Sequence, residues 1–124
     1  MRHIKYENPF AFWQSLDRLV SESEIIIDRP KGSAHPRYSS FIYPLDYGYL
    51  KGTTAADGGG IDVWRGCEPS EAIDAIMCTV DLANRDAEIK ILIGCSEEEK
   101  MTVYQVHNEA ESMKGILIRR PADV

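Results

Sequence analysis

Apolar positions recur along this chain with two different periods. After Asn8-Pro9, the residues Phe12, Leu16, Leu19 and Val20 fall at helical spacing with Trp13 beside them. That pattern predicts a helix running to about Glu22. Asn8 supplies an N-cap, and Pro9 takes the first helical position, where a missing N–H costs nothing. Three isoleucines at 25–27 predict a short strand, which Pro30 and Gly32 end. Aromatic strands are predicted over 38–43 and 47–50, separated by a turn at Pro44. Further strands fall at 61–64 and 75–82, and a turn at 84–86 follows. In "EIKILIG", Ile89, Ile91 and Ile93 alternate, the period of a half-buried strand. Ser96 with Glu99 forms a capping-box pattern that opens a helix through roughly His107, and "GILIRR" closes the pattern as a last strand.

Short strands joined by turns, with a helix near each end, predict a mainly β (α+β) fold. The expected form is a small twisted five-stranded β-barrel with flanking helices. Residues 1–124 read as a single domain, without internal repeats, low-complexity segments or long linkers. A barrel of this size is filled by side chains, so a site is expected at its mouth.

Composition narrows the function classes. The hydrophobic share is 44% and the charged share 27%, both ordinary for a globular protein. No apolar run approaches the ~20 residues of a membrane span, and MRHIKYENPF has no apolar signal-like core. The expectation is a cytoplasmic protein with no membrane partner. Cys67, Cys78 and Cys95 show no CxxC or paired metal spacing, which fits reduced thiols better than disulfides or zinc. A net charge of −6 without a basic stripe argues against nucleic acid.

Candidate chemistry centres on acids. Asp57 and Asp62 bracket the glycine run Gly58-Gly59-Gly60, and Asp81 and Asp86 repeat the same five-residue separation across a turn. If the two loops face each other, four carboxylates converge and raise one another's pKa values. A hard divalent cation such as Mg2+ relieves that repulsion. The plain alternative is four solvated turn aspartates. The glycines suit a nest of N–H groups around an anion, yet no P-loop lysine or EF-hand ligand pattern accompanies them. Among the cations, Lys31 and Arg37 flank the Gly32-Ser33 turn, and an arginine fork suits phosphate. Tyr43, Tyr47 and Tyr49 alternate on one strand. His35 and His107 lack any partner pattern for nucleophilic or zinc chemistry and read as structural.

Taken together, "IIIDRPKGSAHPRY", "YPLDYGYL" and "TTAADGGGIDVW" resemble the soluble family I inorganic pyrophosphatases. Those proteins carry an acidic-x-Pro strand end, Lys-Gly-Ser and a basic-Tyr pair, a Tyr-Pro-x-x-Tyr-Gly-Tyr strand, and the metal loop Asp-Gly-Asp-Pro-x-Asp-Val. The resemblance spans 25–93 and marks a short, divergent member. It implies an OB-like form of the barrel, and it implies that Asp57, Asp62, Asp81 and Asp86 hold Mg2+. It further implies that Asp28 is an outer acid, that Arg37 replaces a phosphate-binding lysine, and that Tyr47 offers a phenol to phosphate. Lys90 stands two residues late for the lysine of its strand. Three departures stand out. Gly59 replaces the loop aspartate that serves as general base. A hairpin bearing a phosphate-binding arginine is missing between 38 and 43, unless Arg29 substitutes. The C-terminal helix lacks a Tyr-Lys pair, for which Tyr104 or Lys114 would be loose stand-ins.

The resemblance implies a Mg2+-dependent phosphohydrolase acting on pyrophosphate or a substituted diphosphate, with Asp57, Asp62 and Tyr47 catalytic. Lys31, Arg37, Tyr47 and Lys90 would bind substrate, and Asp46 is an alternative base for the attacking water. A homo-oligomer is consistent with the family. The rival reading is a catalytically impaired pyrophosphatase-like module that binds phosphate compounds or a protein partner. A purely structural barrel accounts for the glycine loop least well.

Overall fold

A computed structural model describes residues 8–124. Helix α1 (Pro9–Ser21) begins as its sequence dictates, with Asn8 Oδ1 accepting from Ala11 N at 3.1 Å and proline in the first turn. Strands β1 (Ile25–Arg29), β2 (Asp46–Leu50), β3 (Ile61–Arg65), β4 (Ile73–Asp81) and β5 (Asp86–Ile93) follow. Helix α2 (Glu97–Val106) and strand β6 (Met113–Arg119) complete the order. The capping box of α2 is formed in both directions, with Ser96 Oγ accepting from Glu99 N and Ser96 N donating to Glu99 Oε1. Three glutamates in its first turn complement the helix dipole.

The fold is mainly β with two helices, as the pattern predicts, but the expected five-stranded closed barrel is corrected. The described strands form a single six-stranded sheet in the order β1-β2-β3-β5-β4-β6, with β1 and β6 as its ends. All neighbouring pairs are antiparallel except β3 and β5, where Val63 lies beside Ile91. Strand β5 is buried on both sides. Ile91, Leu92 and Ile93 are all fully buried, although adjacent residues of a strand point to opposite faces. Both faces are therefore covered. On one, Trp13 and Leu16 of α1 pack with Leu50, Val63, Ile76, Ile91 and Ile93. On the other, Val103 of α2 packs with Tyr43, Leu45, Trp64, Met77 and Leu92.

The segment 38–43, expected as a strand, is not one. It turns back on itself through Phe41 N to Tyr38 O at 2.8 Å and joins the preceding chain by a lone bridge, Ala34 to Ile42. Gly48 fixes how closely β1 and β2 approach. A Cβ there would stand 1.8 Å from Ile26 O. Beside it β1 bulges at Asp28, the residue skipped between Ile27 and Arg29 in the pairing. Among the described residues, no helix is long and apolar enough to cross a membrane.

Candidate functional site

Strands β2, β3 and β5 lie side by side, and their shared face toward α2 carries the polar residues of interest. Tyr47 stands opposite Trp64, and Tyr49 opposite Asp62. The parallel β3–β5 register puts Lys90 level with Asp62, one step before the Val63–Ile91 pair. Period two then places Glu88, Lys90 and Leu92 on the same side of β5. The sequence separates Tyr47 from Lys90 by 43 residues, and the sheet brings them into contact.

Lys90 is the centre of this arrangement. Its side chain is only 6% exposed. The ammonium donates to Tyr47 Oη at 2.9 Å, to Asp62 Oδ2 at 2.9 Å and to Glu88 Oε2 at 3.1 Å. An ammonium has three donors, and all three are engaged. Tyr47 Oη in turn donates to the same Asp62 oxygen at 2.6 Å, which closes a triangle. Burial alone would pull the Lys90 pKa down, but the Tyr47 oxygen and the Asp62 carboxylate outweigh it and raise it. Burial raises the Tyr47 phenol, which stays protonated. Glu88 is also raised, first by burial, against the pull of Lys90.

Behind the triangle, Tyr47 packs edge-on against Trp64 with ring centroids 4.6 Å apart. Trp64 Nε1 donates to His107 Nε2 at 3.0 Å. Burial first, and the nearby Lys90 charge second, push the His107 pKa down to about 4. A neutral imidazole there accepts the indole proton, so His107 supports the aromatic floor of the site, in keeping with its structural reading.

The structure distributes the expected site residues unevenly. Tyr47, Asp62 and Lys90 are brought together. Asp57 sits on the exposed glycine loop, where Gly59 N donates to Asp57 Oδ1 at 2.9 Å. That bond, followed by Glu88, holds its carboxyl below the usual range. Asp81 is buried and committed to a turn, accepting from Ala83 N, Asn84 N and Asn84 Nδ2 at 2.9, 3.1 and 3.0 Å. Asp86 pairs with Asp81 across the β4–β5 ladder, four residues before Lys90 along the strand. Asp46, the alternative base, accepts from Lys31 N at 2.9 Å and from Arg65 Nη2 at 3.4 Å. Lys31 and Arg37 are exposed on the loop after β1, and among the described residues neither forms an ion pair. Asp28 lies on the bulge with Arg29 at 4.0 Å. Tyr104 is partly exposed on α2, and Lys114 donates to Asn108 O.

Glu88 is the site residue that sequence reasoning missed. Its signal was available, because it precedes Lys90 by two on an alternating strand and so shares its face.

A resident divalent ion would need several acidic oxygens gathered at one point. Among the described residues, no group of three or more His, Cys, Asp or Glu is arranged to hold one. The three oxygens around Lys90 accept from its ammonium at 2.9–3.1 Å. A cavity of about 770 Å3 opens mainly on the α1 side, lined by Phe12, Leu16, Leu19, Ile61, Ile89 and Ile116, and its lining reaches Glu88, a partner of Lys90.

No protein-family model matches the chain, and no curated protein matches it. Among solved structures, an inorganic phosphatase from Anaplasma phagocytophilum matches with a TM-score of 0.52 and 11% sequence identity. The match covers 77% of this chain and 81% of that one. Identity at that level carries the arrangement of the backbone and not the roles of individual residues. In fold, this chain is similar to that inorganic phosphatase.

Proposed function

We propose that the chain is a catalytically impaired pyrophosphatase-like module that binds phosphate compounds. The observation behind this reading is the Lys90 ammonium, buried between Asp62 and Glu88 with every donor engaged. Two carboxylates that would gather metal ions are instead neutralised by the chain itself. A third, Asp81, is held by the backbone of its own turn. Gly59 removes a further acid from the loop. The exposed Lys31 and Arg37 remain as anion contacts, on a turn anchored to Asp46 through Lys31 N. A guanidinium fork and an ammonium are suited to a phosphate or diphosphate group.

The hydrolase reading keeps one specific support. Asp57 and Asp62 flank the glycine loop, and there is room beside Gly59, where an added Cβ would meet nothing nearer than Asp57 Oδ1 at 3.4 Å. The deciding experiment is phosphate release from pyrophosphate by the purified protein, with Mg2+ titrated and Asp62→Asn alongside. The impaired reading expects no metal-dependent release. It also expects pyrophosphate binding, by calorimetry, that weakens in Arg37→Ala. Metal-dependent release that disappears in Asp62→Asn would replace it with the hydrolase.

A further inference from the structure

We propose that the groove between α1 and strands β4, β5 and β6 binds an aliphatic carboxylate, with its chain along the sheet and its charged end at Lys114. The floor of this groove is the face of the sheet opposite Lys90, so the inference goes beyond the phosphate reading and does not depend on it. The strand registers lay out that floor. Val80 stands between Ala87 of β5 and Lys114 of β6, and two residues along the strand Cys78 stands between Ile89 and Ile116. Period two puts all six side chains on one face, and Lys114 carries the one charge among them. The next row, Ile76 with Ile91 and Ile118, runs under the helix, where Trp13 and Leu16 pack with Ile76 and Ile91. Outside that cover the floor is bare, since Val80, Ile89 and Ile116 are 53%, 45% and 60% exposed. Phe12, Leu16 and Leu19 of α1 form the wall. The space is about 770 Å3, within the roughly 300–1,000 Å3 of small-molecule sites.

Three features select the occupant. The lining is apolar nearly throughout, which suits a hydrocarbon body and penalises a sugar or peptide whose polar groups would go unpaired. Its charged side chains are Lys114 and Glu88, and the two are not equivalent. Glu88 already accepts from Lys90 at 3.1 Å. Lys114 donates to the Asn108 carbonyl and, among the described residues, has no acidic partner. The unmatched charge is therefore positive and calls for an anionic head. One ammonium matches a single negative charge, whereas a phosphate head would leave further charge unpaired beside apolar side chains. The third feature is length. The Lys114 row and the Ile118 row are four residues apart along β6, or about 13 Å. Extended C–C bonds of about 1.5 Å advance a chain by about 1.25 Å each, so a tail of about ten carbons spans the floor. Such a tail displaces water from Val80, Ile89 and Ile116 together.

The test uses two thiols as reporters and decanoate as the probe. Cys78 lies on the floor, whereas Cys67 is exposed and does not line the groove. Alkylation of the full chain is followed at each cysteine by mass spectrometry. Near-saturating decanoate should slow Cys78 at least about fivefold and leave the rate at Cys67 unchanged. Across fatty acids from hexanoate upward, each methylene should tighten binding about two- to fourfold, levelling off beyond about ten carbons. Lys114→Ala should weaken decanoate about two- to fivefold and leave decanol unchanged, which separates the head from the tail. Failure of decanoate to protect Cys78 in wild type would overturn the proposal without any variant. An equal effect of Lys114→Ala on decanol and decanoate, or none on either, would overturn the placement of the carboxylate. Slow labelling of Cys78 without ligand that quickens on dilution would show a second copy covering this face, and would overturn the proposal as well. No phosphate compound enters these measurements, so their failure leaves the phosphate reading to its own experiment.

Discussion

Lys90 and Asp62, 28 residues apart in the chain, meet at 2.9 Å, and the Tyr47 hydroxyl reaches the same carboxylate oxygen at 2.6 Å. The pair is asymmetric. Lys90 is almost fully buried, whereas the Asp62 side chain is 27% exposed. Losing Asp62 therefore leaves a buried ammonium with two partners of three, while losing Lys90 leaves a carboxylate that water still reaches. Asp62→Asn should lower stability by roughly 1.5–3 kcal/mol, the range for a hydrogen bond to a charged group. A urea-denaturation double-mutant cycle with Lys90→Met should show coupling of about 1 kcal/mol or more. Simple additivity of the two variants would mean that the contact contributes nothing of its own.

His107 gives the fold a predictable pH response. Its pKa is pushed down to about 4 in the folded chain, against an ordinary value of 6.5. Between those values the unfolded chain binds a proton that the folded chain does not. Stability attributable to His107 is complete above pH about 6.5 and is lost as pH falls toward 4, by roughly 3 kcal/mol in total. Comparing urea midpoints of wild type and His107→Gln across that range isolates this contribution, because other titrating groups are common to both. Parallel pH profiles for the two proteins would show that the imidazole is accessible to protons when folded.

Local signals in the sequence were legible where the structure depends on local bonds. Asn8-Pro9 and Ser96 with Glu99 name the starts of both helices because a cap is a bond made within one turn. The strand periods of 61–64 and 89–93 were also readable. The stretch 38–43 misled because its aromatic and β-branched residues favour strands, yet Tyr38 and Ile42 are 64% and 52% exposed and, among the described residues, the segment has only the lone Ala34–Ile42 bridge. Spacing alone could not show that Asp81 serves its own turn, although its separation from Asp86 matches that of Asp57 from Asp62. The triangle at Lys90 depends on the parallel register of β3 against β5, a non-local pairing that no short motif encodes.

Gly48 is required by contact rather than by backbone conformation. A methyl group there would collide with the Ile26 carbonyl and with Ile27 Cα at 2.8 Å, both main-chain atoms that cannot rotate away. Gly48→Ala must push β1 off β2 and should cost more than about 3 kcal/mol, at the severe end for a single substitution. Gly59→Ala is the contrast, since its nearest neighbour would be a side-chain oxygen at 3.4 Å. Its effect should stay within about 1 kcal/mol. Equal urea midpoints for the two variants would show that β1 does not hold its close register against β2 in solution.

The C-terminal end of the sheet is tied to α1 by Arg120 and Asp17, which are 103 residues apart. The guanidinium makes two bonds of 2.8 Å to the carboxylate, a third of 3.1 Å to Ile73 O, and lies 5.6 Å from the Trp13 ring centre. The Arg120 hydrogen bonds hold Asp17 below the usual carboxylate range, so this contact persists until pH falls below the ordinary carboxylate value. Asp17 is 43% exposed, which limits the pair's contribution through solvent screening. Arg120→Ala should therefore lower stability by about 1–2 kcal/mol, more than a plain surface pair, because the Ile73 carbonyl and the Trp13 face lose their partner as well. Arg120→Lys should recover only a fraction, since an ammonium cannot reproduce the two-bond fork. Hydrogen exchange of the α1 amides distinguishes this clasp from a general loss of stability. Exchange should quicken in α1 before β4 and β5 are affected, and uniform acceleration across the sheet would show that Arg120 supports the whole fold rather than the seat of this helix.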